Sequence, residues 1–387
     1  MSTSVGRAPP ATEFAPYPAS WYLFSAGADL ARGPVSKSML GGRLVAFRTQ
    51  SGRAIVMDGN CAHLGADLGC GKVVGETLQC PFHGWRYGTD GICKHAPVAA
   101  FASPRPRSSV PPFARLQTYP AVERHGYLFF FNGREPLFPL PFFWGEEPDR
   151  FVAGRIFTYT ADCNWYMSSS HAFDMQHFAS VHDRELVEPP RVDCPAPFAR
   201  RNSYHAKVVG QHLLDRLLNR FAGKTVHITI SICGGTFALI TADFGGAVSR
   251  FMVSQQPLEN GQTLCEGICF APRSRVALLN EFNLFARRVF THGYLKAEAR
   301  DIRGTQYRPQ NLTMHDRELI EFFQWAAALP QGVAPGLTPA NTLADNNLEG
   351  TGHEKMDHGL SAPAPRTSRP SSGRAVAGVR DGGPGAQ

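Results

Sequence analysis

Two short arms, Cys61-Ala-His63 and Cys80-Pro-Phe-His83, each carry one thiol and one imidazole, with sixteen residues between them. A zinc finger of the usual kind puts two cysteines in one arm and two histidines in the other. Mixed arms suit a two-iron cluster instead, with both cysteines on one iron and both histidines on the other. Neutral imidazoles in place of two anionic thiolates raise the reduction potential well above that of an all-cysteine cluster. A glycine close behind each histidine, Gly65 and Gly84, lets backbone N–H groups approach the sulfurs. Tyr87 is near enough in sequence to donate a hydrogen bond there. The competing reading is a zinc site, or cysteines and histidines in ordinary turns.

A second pattern, Asp174-Met-Gln-His177-Phe-Ala-Ser-Val-His182, has the form D-x2-H-x4-H. Histidines five apart lie roughly 140° apart on an ideal helix. They meet on one metal only if the helix loosens or ends between them, so His182 is expected at or just past a helix end. Taken alone, such a pair reads more readily as surface histidines than as a metal site.

Together the motifs resemble the catalytic subunit of Rieske-type non-haem iron oxygenases. Cys61-Ala-His63-Leu-Gly65 and Cys80-Pro81-Phe-His83-Gly84-Trp85 look like that family's cluster loops. The D-x2-H-x4-H pattern follows about 90 residues later. The resemblance runs roughly from Ala15 to Ala328. It implies one 2Fe–2S cluster per chain on Cys61, His63, Cys80 and His83. It also implies one mononuclear ferrous ion per chain on His177, His182 and a later carboxylate, with positions open for dioxygen and substrate.

Asp301, Asp316, Glu318, Glu321 and Asp345 are candidates for that carboxylate. If His315–Ala328 is one helix, Asp316 shares a face with Leu319, Ile320, Phe323 and Ala327. An acid continuing an apolar stripe is unusual unless paired or metal-bound. The family's carboxylate also comes from such a late helix, so Asp316 is the expected ligand. Against this, Thr313 and Asp316 have the spacing of a helix capping box.

By the same resemblance, Asp174 links His177 to His83 of the partner subunit, which implies a ring of subunits, most simply a homotrimer. Asn164 is expected near the iron. The chain departs from the family just before the aspartate motif, where it has Ser170-His171-Ala172 in place of an acid–amide pair. His171 is read as packing or pocket lining. This departure bears on substrate class more than on catalytic chemistry.

The elements that must hold these residues follow from patterning. Short β-favouring runs at Trp21–Ser25, Arg43–Arg48, Ala54–Asp58 and Tyr127–Phe131 are punctuated by glycine turns. They predict an antiparallel β Rieske domain over 21–132 after an N-terminal arm at 1–20. Proline-rich residues 133–150 read as a linker. Strands at Arg155–Ala161 and Thr225–Ile232 and helices at Met167–Val181 and His315–Ala328 place an α+β catalytic domain at 151–355. The resemblance implies a helix-grip-like arrangement there. Residues 361–387 lack large apolar side chains and read as a disordered tail.

Composition narrows the function classes. Of the 387 residues, 43% are hydrophobic and 18% charged, an ordinary globular balance. No apolar run approaches the roughly 18 residues of a membrane span, and no secretory signal is evident. Part of the net charge of +7 lies in the last 27 residues and the rest is spread without a long basic run, which disfavours nucleic acid and suits an acidic protein partner. Nine cysteines are too sparse for a disulfide scaffold and point to a reducing, cytoplasmic setting. Gly69-Cys-Gly71-Lys-Val-Val-Gly75 lacks the Lys-Ser/Thr ending of a phosphate loop and reads as turns. Many phenylalanines in the second half favour an apolar, ring-containing small molecule over a sugar.

The expected function is thus hydroxylation or demethylation of such a molecule with dioxygen. Electrons would reach the chain from NAD(P)H through a separate reductase, with or without a ferredoxin. Monooxygenation is favoured over ring dihydroxylation. The rival is a Rieske electron-transfer protein with a non-catalytic second domain.

Overall fold

The computed structural model describes residues 6–97, 110–180, 184–208 and 225–336. The proposed tail at 361–387 and His182 lie outside the described residues. Three small antiparallel sheets form the first half. Trp21–Ala26, Tyr127–Phe131 and Ala121–Arg124 make one; Val35–Met39, Gly42–Arg48, Ala54–Asp58 and Thr118–Tyr119 make the second. The third, Lys72–Val74, Thr77–Gln79, Arg86–Tyr87 and Cys93–His95, holds the second cysteine arm between two of its strands. The strand expectations for this half hold to within a residue or two at each end.

The second half is built on a nine-stranded antiparallel sheet. Its central run is Thr263–Pro272, Val248–Pro257, Phe237–Asp243, Thr225–Cys233 and Ala199–Val208. Successive side chains of a strand point to opposite faces, and the strand at 248–257 shows what that does here. Met252 packs with Trp21, Phe129 and Phe237 in a core shared with the first half. Phe251 and Val253, on the other face, line an internal cavity. The sheet is therefore buried on both sides, and one sequence supplies both layers by alternation. The stretch at 133–150 contributes to the shared core through Phe138, Leu140 and Phe143.

Helices lie over the cavity face. They are α1 (Trp165–Ser170), α2 (Met175–Ser180), α3 (Ala277–Asp301) and α4 (Arg317–Ala327). α3 packs on Thr263–Pro272 and Phe157–Ala161. The architecture is α+β, as expected, with two corrections to its helices. The helix read at Met167–Val181 is interrupted: a short 3-10 turn at His171–Phe173 and an extended Asp174 (φ −88°, ψ 100°) separate α1 from α2. The 25-residue α3 was not anticipated. Its apolar residues do not form one stripe, because Leu284, Thr291, Leu295 and Ala299 face inward while Leu278, Phe282, Phe285 and Val289 are exposed. A helix is legible in sequence through an apolar period, and this helix lacks a clean one.

Candidate metal centres and cavity

The two cysteine arms fold as the same loop twice. In the first, Cys61 N–H donates to the Ala66 carbonyl and Gly65 N–H to the Cys61 carbonyl, at 2.9 and 2.8 Å. In the second, Cys80 N–H donates to the Trp85 carbonyl and Gly84 N–H to the Cys80 carbonyl, at 2.8 and 3.2 Å. Both turns need a left-handed residue, supplied by Gly65 (φ 73°) and Gly84 (φ 71°). The loops bury the two cysteines and bring the two histidines together, with His63 Nδ1 and His83 Nδ1 3.0 Å apart. Two nitrogens bound to one tetrahedral metal at about 2.1 Å would stand roughly 3.4 Å apart, so the pair needs little adjustment to share an iron. The His63 ring stacks on Trp85 at 4.6 Å and 5°, which fixes its plane.

Tyr87 is where the sequence placed it. Its hydroxyl accepts from Ala62 N–H at 3.1 Å, so its own proton faces Cys61 Sγ at 3.2 Å. Burial is the largest influence on the Cys61 thiol and pushes its pKa up; Tyr87 and the His63 N–H oppose this, and the adjacent Cys80 adds to it. Two buried thiols and two adjacent imidazoles are the donor set that a mixed two-iron cluster takes. The four residues therefore fit a 2Fe–2S cluster. Among the described residues, no three His, Cys, Asp or Glu side chains converge on one point.

The cavity, of about 180 Å3, lies between the sheet and the helices. His177 lines it from α2 and Glu298 from α3. His177 is 6% exposed, and its Nε2 stands 3.2 Å from Glu298 Oε1. That spacing fits two donors bound at right angles to one ion by bonds of about 2.1 Å, roughly 3 Å apart. The break at Asp174 makes this possible. Asp174 Oδ1 accepts from the backbone N–H groups of Gln176 and His177, both at 3.1 Å, and so caps α2. His171 also lines the cavity, its ring stacked on His177 at 5.1 Å. Lining rather than surface exposure is thus its position.

Two expected site residues are not brought here. Asp316 lies before α4, not within it, so the helical stripe used to select it does not extend that far. Its Oδ2 accepts from Thr313 N–H at 2.8 Å and from Thr313 Oγ1 at 2.9 Å, while Thr313 Oγ1 accepts from His315 N–H, which completes a capping box. Asn164 is exposed at the start of α1 and donates to the Tyr166 hydroxyl at 3.1 Å, away from the cavity lining. Glu298 was missed because α3 was missed. Its signal is nonetheless present: it falls at i+3 from Leu295 and i−4 from Ile302, an acid continuing an apolar face. Nearby Cys265 and Cys163 are buried, which pushes their thiols up to about 12 and about 11 and keeps them protonated and out of competition for metal.

Residues 20–120 match the Rieske [2Fe-2S] domain family. Among curated proteins, the chain is 36% identical over 166 residues to aminopyrrolnitrin oxygenase PrnD of Pseudomonas fluorescens, covering 42% of this chain and 46% of that protein. It is 30% identical over 157 residues to the oxygenase component of 3-ketosteroid-9-alpha-monooxygenase from Rhodococcus rhodochrous, 38% of each chain. The matched stretch thus spans less than half the length of these relatives. The structure of Pseudomonas putida CBB5 NdmA with caffeine superposes at a TM-score of 0.58 and 19% identity, over 79% of this chain and 89% of that one. Residues 20–120 are therefore a Rieske [2Fe-2S] domain. The chain as a whole shares the fold of NdmA. Among the described residues no helix is long and apolar enough to cross a membrane.

Proposed function

We propose that the chain is the oxygenase component of a multi-protein system that hydroxylates or demethylates an apolar, ring-containing small molecule with dioxygen. The observation that carries this is His177 and Glu298 paired on the wall of an apolar cavity, in a chain whose first half holds the cluster loops. Cys61, Cys80, His63 and His83 would hold the 2Fe–2S cluster, and His177, His182 and Glu298 a ferrous ion. When bound, the cluster supplies single electrons and the ferrous ion the reactivity toward dioxygen.

The protein's own groups perform the rest. Ile230, Ile232, Phe251 and Val253 exclude water and hold a flat apolar substrate against the metal wall. Asp174, with its Oδ1 committed to the helix cap, is the carboxylate that would orient His177 and His83 of the partner subunit within a trimer. The basic chain suits an acidic reductase or ferredoxin. NAD(P)H would be used by that reductase and not by this chain. A reducing, cytoplasmic location agrees with nine unpaired cysteines.

The test is iron content and EPR of the anaerobic, dithionite-reduced protein. About three irons per chain are expected, two in the cluster signal and one revealed by nitric oxide. Glu298→Gln should lose the nitric-oxide signal and at least about 100-fold in substrate oxidation, with the cluster still reducible. Asp316→Asn should keep both. A Glu298→Gln protein with full ferrous occupancy would defeat the ligand assignment, and a wild type with two irons only would favour an electron-transfer role.

A further inference from the structure

The cavity has an open end and a closed one, and the sheet register orders them. Val226 and Phe244 stand at the hairpin ends, followed by the rungs Ile228–Ala242–Ser249, Ile230–Ile240–Phe251 and Ile232–Ala238–Val253. Along the rungs, Ile228 and Ile230 are half-buried and Ile232 and Val253 fully buried. Gln255 follows Val253 on the same face, 4% exposed, at the closed end. It is an amide at the floor of a chamber whose sheet wall is otherwise aliphatic and aromatic over the preceding two rungs.

Its orientation is set by its neighbours. Ser169 Oγ donates its only proton to the Gly235 carbonyl at 2.7 Å, an oxygen that can only accept. Ser169 Oγ must therefore accept from Gln255, so the amide nitrogen faces it, at 2.8 Å. That fixes the carbonyl on the other side, and Gln255 Oε1 is enclosed without a hydrogen-bond partner. Among the described residues, other enclosed polar atoms also lack partners, but only Gln255 belongs to the cavity lining. An unpaired buried acceptor is costly, and a ligand that donates to it removes the cost.

We infer that Gln255 Oε1 is the acceptor for a hydrogen-bond donor on the substrate. The substrate class is thereby an apolar ring compound with an N–H or O–H at the end that enters first. This rests on the proposed use of the cavity for a ring-containing substrate. A site built to accept from a donor discriminates strongly against the analogue in which that donor is blocked.

The test compares indole with 1-methylindole by isothermal titration of the iron-loaded wild type and of Gln255→Leu and Gln255→Met. The wild type is expected to bind indole about tenfold more tightly or better, and each variant to lose that preference through weaker indole binding, with iron content unchanged. Gln255→Met, closest in shape, serves if Gln255→Leu does not fold. An equal preference in the variants, no preference in the wild type, or no binding of either indole overturns the inference. Binding needs no turnover, so loss of the oxygenase reading would leave the indole preference standing, and loss of the preference would leave the iron content intact.

Discussion

Tyr87 shows how much a single hydroxyl can decide. Its phenol accepts one backbone N–H and turns its own proton to Cys61 Sγ. A hydrogen bond to a cluster sulfur stabilises the more negative, reduced state and so raises the potential. Tyr87→Phe removes a bond worth about 1 kcal/mol, which for one electron is roughly 40 mV. We expect the cluster to remain assembled with its potential lowered by about that amount in a redox titration; an unchanged potential would show that the bond does not form around the loaded cluster. The candidate metal-site acids also belong to this scale. Spacing identified both cysteines and both cluster histidines, because each loop places its own ligands within a few residues. It could not choose among distant acids: Asp316 and Glu298 each follow an apolar face, and only the helix boundary at Arg317 shows that Asp316 is a cap.

At the scale of elements, the sheet needs glycine where an aromatic ring crosses it. Gly267 pairs with Phe157 across the strands, and a Cβ at Gly267 would meet the Phe157 ring at 2.1 Å. Gly267→Ala should force the ring or the strand aside and destabilise by about 1–3 kcal/mol, read as a lower urea midpoint; an unaltered midpoint would mean the ring has room to move. α4 is held to the sheet by Glu321, whose carboxylate meets Arg200 at 2.8 Å and Arg317 at 2.9 Å. Burial raises the Glu321 pKa, but the two arginines outweigh it and the net shift is downward from 4.5. A carboxyl with a depressed folded pKa contributes stability that is present above its unfolded value and lost as pH falls through the folded one. Melting temperature should therefore drop on acidification below about pH 4.5 less steeply in Glu321→Gln than in the wild type. Parallel curves would assign the acid sensitivity to other groups.

At the scale of the whole molecule, the Rieske domain and the half built on the nine-stranded sheet are one folding body through a shared core. Trp21, Leu23, Phe129 and Phe131 pack with Phe237, Met252, Ile268 and Phe270. Leu23 N–H donates to Ser254 Oγ at 3.0 Å across the same junction. The ends reinforce it. Phe14 of the N-terminal arm stacks on Tyr166 at 3.9 Å, and the segment after α4 returns to pair Pro330 and Gly332 with Ala19 and Tyr17. Phe237→Ala should cost about 3–5 kcal/mol. Because its partners come from both halves, the visible absorbance of the cluster and the far-UV signal should disappear at one lowered temperature. Two separated transitions would show that the halves unfold independently.

By itself the sequence determined what is local. It contained the candidate cluster ligands and their loop glycines, the strand runs of the first half, and the D-x2-H-x4-H pattern. These are short-range properties, set by residue type and by spacings of a few positions. Only tertiary structure decided which distant groups meet. It broke one expected helix at Asp174 so that His177 turns inward, and it laid α3 over the sheet so that Glu298 faces His177. It sent Asp316 and Asn164 to other work, and it closed the cavity on Gln255. The His177–Glu298 and Ser169–Gln255 pairings join residues more than eighty positions apart, and they are set by the packing of whole elements, about which the period of any one segment carries no information.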